Sequence, residues 1–144
     1  MVSFKHDKTG KGQMKLITRN TDYAIRAIAH MAARREDVFS VAELVKALGI
    51  PRPFLRKILQ ILGKKKLIRS YKGAGGGFRL ATRPDKIYLV DIMEIFQGPI
   101  TLNECIFKKD LCSNRGTCLL KRKIDSIEKY VKNELSTLTV ASLI

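Results

Sequence analysis

Acidic residues and histidines are scarce in this chain, and it contains no long uninterrupted apolar run. Asp and Glu number 13 against 28 Lys and Arg, for a formal net charge of +15. A field that positive draws polyanions by counterion release and electrostatic steering. Charge alone also suits a ribosomal protein, an RNA chaperone or a membrane-surface binder, so its position along the chain has to decide. Only two histidines occur, His6 and His30. With no Ser-His-Asp, Cys-His or paired-carboxylate constellation that sequence can assemble, an enzyme is not expected. Apolar stretches such as Ile58 to Leu67 are broken by charge. That excludes a secretory signal and a membrane span, and a cytoplasmic protein is expected. The three cysteines, Cys105, Cys112 and Cys118, share one short stretch. An odd number argues against a disulfide framework and leaves a metal or redox role to test.

What is present is helical periodicity with punctuation. Residues 1–13 carry Lys5, Lys8 and Lys11 among glycines without apolar period and read as a basic leader, appended or misassigned, with Met14 as the expected natural start. From Thr21, residues Tyr23, Ala24, Ala27, Ile28 and Met31 recur three and four apart and predict a first helix to about Arg34, capped by Asn20 or Thr21. Ser40 with Glu43 forms a capping-box pattern before Leu44, Val45 and Leu48, and Gly49 ends that second helix. Pro51 suits the first turn of a third, whose apolar face is Phe54, Leu55, Ile58, Leu59 and Leu62 up to Gly63. Two short helices meeting at Gly49 read as a helix-turn-helix.

Strand-like runs from Leu67 to Lys72 and from Phe78 to Ala81 flank Gly73-Ala74-Gly75-Gly76-Gly77, the pattern of a glycine-rich wing. After Pro84, the amphipathic stretch Leu89 to Phe96 predicts a fourth helix, closed by Gly98-Pro99. Helical period returns from Leu119 to Leu135 through Leu120, Ile124, Ile127 and Val131, a face fit for dimerisation. The uncharged end, Ser136 to Ile144, has no assigned role beyond a tail docked on a partner. The expected fold is therefore mainly α, a winged helix-turn-helix with a small two-stranded wing and a long C-terminal dimerisation helix. Its expected divisions are a leader at 1–13, a DNA-binding domain at 14–98, a cysteine loop at 99–118, and a dimerisation helix with tail at 119–144.

Between Arg52 and Lys86 there are eleven basic residues and a single acid, Asp85. Charge thus concentrates on the third helix and wing. In a helix-turn-helix the early residues of the second helix of the pair meet base edges, here Arg52, Pro53, Arg56 and Lys57. Arginine grips guanine with two hydrogen bonds, so Arg52 and Arg56 are the candidates for sequence reading, and Lys64 to Lys66 for phosphate. Lys72 stands at the edge of the hairpin, where Gly75 and Gly76 let backbone approach a duplex, and is a candidate for the minor groove. Ser40, at the start of the second helix, completes the candidate DNA-binding set. Taken singly, each basic residue also reads as a solvated surface charge. A phosphate-cradling nucleotide loop is excluded by the lack of a Gly-Lys-Ser or Gly-Lys-Thr end and of a following helix start. An RNA binder would show more stacking aromatics than Tyr71 and Phe78.

The run from Met14 through Thr21-Asp22-Tyr23-Ala24 to Ala27, the wing Lys72-Gly-Ala-Gly-Gly-Gly-Phe78 and the clustered cysteines together resemble the bacterial regulators typified by IscR and NsrR, the Rrf2 family. The resemblance runs from Met14 to about Leu135. It implies a homodimer with crossing C-terminal helices, each winged unit reading half of a palindromic operator in double-stranded DNA as repressor or activator. It further implies an iron-sulfur cluster, two-iron or four-iron, on the cysteine loop. Three thiolates separated by six and then five residues suit one soft metal centre, and nearby Lys108, Lys109, Arg115, Lys121 and Arg122 offset cluster charge. The cysteines read alternatively as inert core thiols or a zinc site, although zinc cysteines usually lie closer together.

In the IscR branch a histidine lies three residues after the last cysteine, where this chain has Lys121. In the NsrR branch a first-helix aspartate of the other subunit completes the site, and Asp22 matches it; Asp22 equally reads as ordinary first-turn charge. The implied function is a dimeric transcription regulator reporting iron-sulfur status, redox state or nitric oxide. The alternative is a cluster-free family regulator controlled by a protein partner or small molecule, with structural cysteines.

Overall fold

The computed structural model describes residues 15–102 and 116–144. Helix α1 spans Arg19–Ala33 and α2 spans Val41–Leu48. Helix α3 spans Arg52–Lys64, strands β1 and β2 span Ile68–Tyr71 and Gly77–Leu80, α4 spans Leu89–Gln97 and α5 spans Leu119–Thr137. Short 3-10 turns occupy Pro84–Lys86 and Val140–Leu143. The winged helix-turn-helix expected from the sequence is present, with α2 and α3 as the pair and β1–β2 as the wing.

Local chemistry accounts for most boundaries. Ser40 Oγ accepts from the Glu43 amide at 3.2 Å while Glu43 Oε2 accepts from the Ser40 amide at 2.7 Å, closing the capping box that starts α2. Gly49 ends α2 at φ 65°, a left-handed conformation that costs glycine little. Pro51 is the cap of α3 rather than its first-turn residue, and the helix begins at Arg52. The cap of α1 is Thr18, not Asn20 or Thr21, because Thr18 Oγ1 faces the Thr21 amide at 3.4 Å and the helix starts two residues earlier than the apolar period. Thr21 is instead fully buried, and its hydroxyl donates to Gln97 Oε1 at 2.7 Å.

The core centres on α1, whose Ala24, Ala27, Ile28 and Met31 pack with Leu44, Leu55, Ile58, Leu59, Leu62 and Ile92. Two expectations are corrected here. Phe54, expected on the apolar face of α3, is 49% exposed. It lies about 90° from the centre of the buried stripe formed by Leu55, Ile58, Leu59 and Leu62, at roughly 100° per residue. The C-terminal tail docks on its own chain: Val140 is fully buried in the main core. Its amide donates to Ile87 O at 2.9 Å, and the Leu89 amide donates to Leu138 O at 2.9 Å. A second, smaller cluster joins Leu89, Met93, Ile100 and Leu135, which packs the C-terminal part of α5 against the winged unit.

Candidate nucleic-acid interface

Helix α3 turns its buried residues Leu55, Ile58, Leu59 and Leu62 inward. At roughly 100° per residue, Arg52, Arg56, Gln60, Pro53, Lys64 and Lys57 then follow one another around an arc of about 140° on the opposite side. All six are exposed, and no acid interrupts them. Arg52 and Arg56 share one flank of this arc, and Lys57 and Lys64 lie on the other. Gln60 was absent from the candidate set because its type carries no charge signal. Helical phase was the clue available, since it places Gln60 beside Arg56, and glutamine can pair two hydrogen bonds with adenine.

The wing stands against the C-terminal half of α3, and a groove of about 470 Å³ runs between them, lined by Gln60, Gly63 and Lys66 on one side and Ser70 and Phe78 on the other. The hairpin is antiparallel with Ile68 opposite Leu80 and Tyr71 opposite Gly77. The other edge of β2 is held near its turn end by Phe39, which exchanges two backbone hydrogen bonds of 2.8 Å with Phe78. This bridge brings Ser40 beside Gly77 at the start of β2, with its Oγ engaged in the α2 cap. Lys72 is exposed at the start of the wing tip. The glycines there answer to the turn itself: Gly75 has φ 72°, and a Cβ on Gly76 would meet Tyr71 O at 2.4 Å.

Of the cluster candidates, Cys105 and Cys112 lie outside the described residues. Cys118 is the N-cap of α5, and its Sγ accepts from the Lys121 amide at 3.4 Å. The Lys121 ammonium is bonded to Asp125, in keeping with a charged rather than a ligating lysine. Asp22 is half-exposed in the first turn of α1, with Arg26 Nη1 3.8 Å from its carboxylate. Among the described residues no group of three or more His, Cys, Asp and Glu could hold a metal ion. His30 is half-buried at the end of α1, with its ring edge-on to Phe39 at 5.3 Å, and has a packing role.

The described residues that precede the cysteine stretch are anchored on the core and on α5. Ile100 is buried, and the Leu102 amide donates to Glu128 Oε2 at 3.0 Å on α5. Lys132 holds the other Glu128 oxygen at 2.7 Å. These two contacts, the lysine first, keep the Glu128 carboxyl below the usual range. At the other end of α1, Gln97 Nε2 donates to Leu16 O at 2.9 Å while its Oε1 accepts from the Thr18 amide at 3.1 Å. The residues just before the cysteine stretch thus touch α4 and α5, and Gln97 at the end of α4 ties in the start of α1. Helix α5 leaves Leu119, Leu120, Ile127 and Tyr130 more than half exposed. No helix among the described residues is long and apolar enough to cross a membrane.

Comparison with known proteins agrees with this architecture. Residues 17–144 match the profile of the Rrf2 family, described as iron-dependent transcriptional regulator. A protein of Aquifex aeolicus (strain VF5), designated an HTH-type transcriptional regulator, is 34% identical over 124 residues, covering 85% of this chain and 86% of its own. The structure of CymR, the global cysteine regulator of B. subtilis, superposes with a TM-score of 0.73 at 24% identity, over 90% of this chain and 96% of that one. IscR of T. potens superposes with a TM-score of 0.71 at 22% identity, over 90% and 85%.

Proposed function

This chain belongs to the Rrf2 family of transcription regulators, and from that premise we propose that it binds a palindromic operator as a homodimer and carries an iron-sulfur cluster on its cysteine segment. The carrying observation is the exposed, acid-free set of residues on one side of α3 beside a glycine-tipped wing, in a chain with a net charge of +15. Arg52, Arg56 and Gln60 are the base readers, Arg to guanine and Gln to adenine. Lys57 and Lys64 hold phosphates, as do Lys65 and Lys66. Pro53 sets the entry of the helix, and exposed Phe54 offers an apolar contact to a thymine methyl group. Ser40, Lys72, Gly75 and Gly76 make up the wing side, with Lys72 entering the minor groove.

The exposed face of α5, Leu120, Ile127 and Tyr130, is the homodimer seam. Cys105, Cys112 and Cys118 would hold the cluster, with Asp22 of the partner subunit as the oxygen donor. When bound, the cluster supplies a redox-responsive iron-thiolate centre. The donor chemistry fits: Cys118 Sγ is at the N-terminus of α5, where orphan amides and the helix dipole favour a negative group, and Lys121, Arg122 and Lys123 follow. Because Glu128 holds Leu102 and Ile100 packs on α4, gain or loss of the cluster on the cysteines that follow is passed to α4 and α5 and so to the spacing of the two α3 helices.

The test is an anaerobic absorption spectrum with iron and sulfide analysis, paired with duplex binding before and after the chromophore is removed. Matching iron and sulfide, lost in Cys112→Ala, with affinity that changes on their loss, supports the sensor. Colourless protein after reconstitution that still binds DNA refutes the cluster and leaves a regulator governed by another effector.

A further inference from the structure

The outer side of the wing carries a charge cluster that the DNA-reading arc of α3 does not use. Antiparallel register puts Arg69 directly opposite Arg79, on the same side of the sheet as Tyr71. Like charges directly opposite on neighbouring strands are unfavourable. Arg35, in the loop after α1, closes the same pocket, which Glu36 also lines. Three guanidiniums therefore share one carboxylate, leaving two positive charges in excess.

Arg79 is held in place. Its guanidinium carbon lies 5.3 Å from the centre of the Tyr71 ring, its Nη1 is 3.7 Å from Glu36, and its side chain is 35% exposed. Neither Arg35 nor Arg69 has an ion-pair partner among the described residues. One guanidinium is thus pre-ordered and two have donors to spare. The pocket measures about 130 Å³, the volume of about four liquid waters. That is room for one tetrahedral anion with residual hydration.

We propose that Arg35, Arg69 and Arg79 form a site for a single phosphate group on the outer face of the wing, with Tyr71 and Glu36 positioning Arg79. Guanidinium forks match phosphate oxygens two at a time, which favours phosphate over halide. The phosphate belongs either to the backbone of bound DNA or to a free phosphate-bearing compound; only the first source rests on the reading of the preceding section.

The test titrates the full chain with inorganic phosphate at constant ionic strength, following arginine Nε–Hε resonances, and measures mixed-sequence duplex binding against salt. The Arg69 and Arg79 signals should move together and saturate while Arg122 on α5 stays still. Arg69→Gln and, separately, Arg35→Gln should weaken phosphate binding by about tenfold. The Arg35 variant lies outside the hairpin, so a local wing defect cannot decide the result. If the phosphate is DNA's, each variant also lowers the salt slope by about 0.9. An unchanged slope with a saturating phosphate titration supports the free compound. A chain that binds phosphate but no duplex contradicts the DNA reading alone. Arginine signals that drift together without saturation, or variants that behave as the parent in both assays, overturn the site.

Discussion

Replacing Val140 with Ala tests whether the C-terminal turn is part of the winged core. Val140 is fully buried among core residues; its own amide donates to Ile87 O, and Leu138 O accepts from the Leu89 amide, both at 2.9 Å. Those bonds survive the substitution, so its effect is the loss of two methyl groups from a packed site. Transfer of two such groups is worth about 1.6 kcal/mol, and the cavity left in a core that relaxes only partly brings the total to about 2 to 3 kcal/mol. Each kcal/mol moves the midpoint of a chain this size by roughly 3 °C, so the expected fall is roughly 6 to 9 °C. Thermal unfolding followed by circular dichroism reads it, at fixed protein concentration because association shifts the midpoint. Ile144→Ala, at a position 59% exposed, serves as the surface control and should stay within about 0.5 kcal/mol. If Val140→Ala melts with that control, the turn does not pack against its own core and the reasoning fails.

Glu43 offers a pH-dependent counterpart. Its carboxyl is lowered by the Ser40 backbone amide first and the Ser40 side chain second, so its contribution is present at neutral pH and is lost as pH falls through the lowered value. Glu43→Gln should therefore flatten the acid limb of a plot of urea midpoint against pH, and an unchanged limb would dismiss the capping box as its source. Gly77→Ala places a Cβ 2.2 Å from Phe39 O and should break the Phe39–Phe78 bridge, with a large loss of stability and of DNA binding. Gly73→Ala, with nothing within 4 Å but φ 92°, should cost only about 1 to 2 kcal/mol; equal melting points for the two variants would argue against the steric account. Ile127→Asp, at a position 54% exposed on α5, should yield monomers in analytical ultracentrifugation with the winged unit's far-ultraviolet spectrum retained, whereas an intact dimer would move the seam elsewhere.

Much of the winged unit was legible from the chain alone because its signals are local. The capping box at Ser40 and Glu43, the left-handed Gly49, the apolar spacing of α3 and the run of glycines before Phe78 each depend on neighbours within a few residues. The basic arc of α3 was legible for the same reason, although Gln60 escaped a search guided by charge. The resemblance in the first helix, wing and clustered cysteines placed the chain among the regulators whose profile it matches.

Other features required contacts distant in sequence. Thr18 rather than Asn20 or Thr21 caps α1 because Gln97, 76 residues beyond Thr21, takes the Thr21 hydroxyl and the Thr18 amide. Phe54 has an apolar side chain, yet the phase of α3 against its partners leaves it half-exposed. Arg69 and Arg79 look like two surface charges until strand register makes them neighbours. The tail from Ser136 to Ile144 has no charge and no period to reveal its partner, and only the closed core shows that Val140 fills it. Composition and short-range pattern thus determined the elements, the sign of the surface and the kind of protein. Tertiary structure decided which apolar residues are buried and which charges meet, because those depend on which distant surfaces exclude water together.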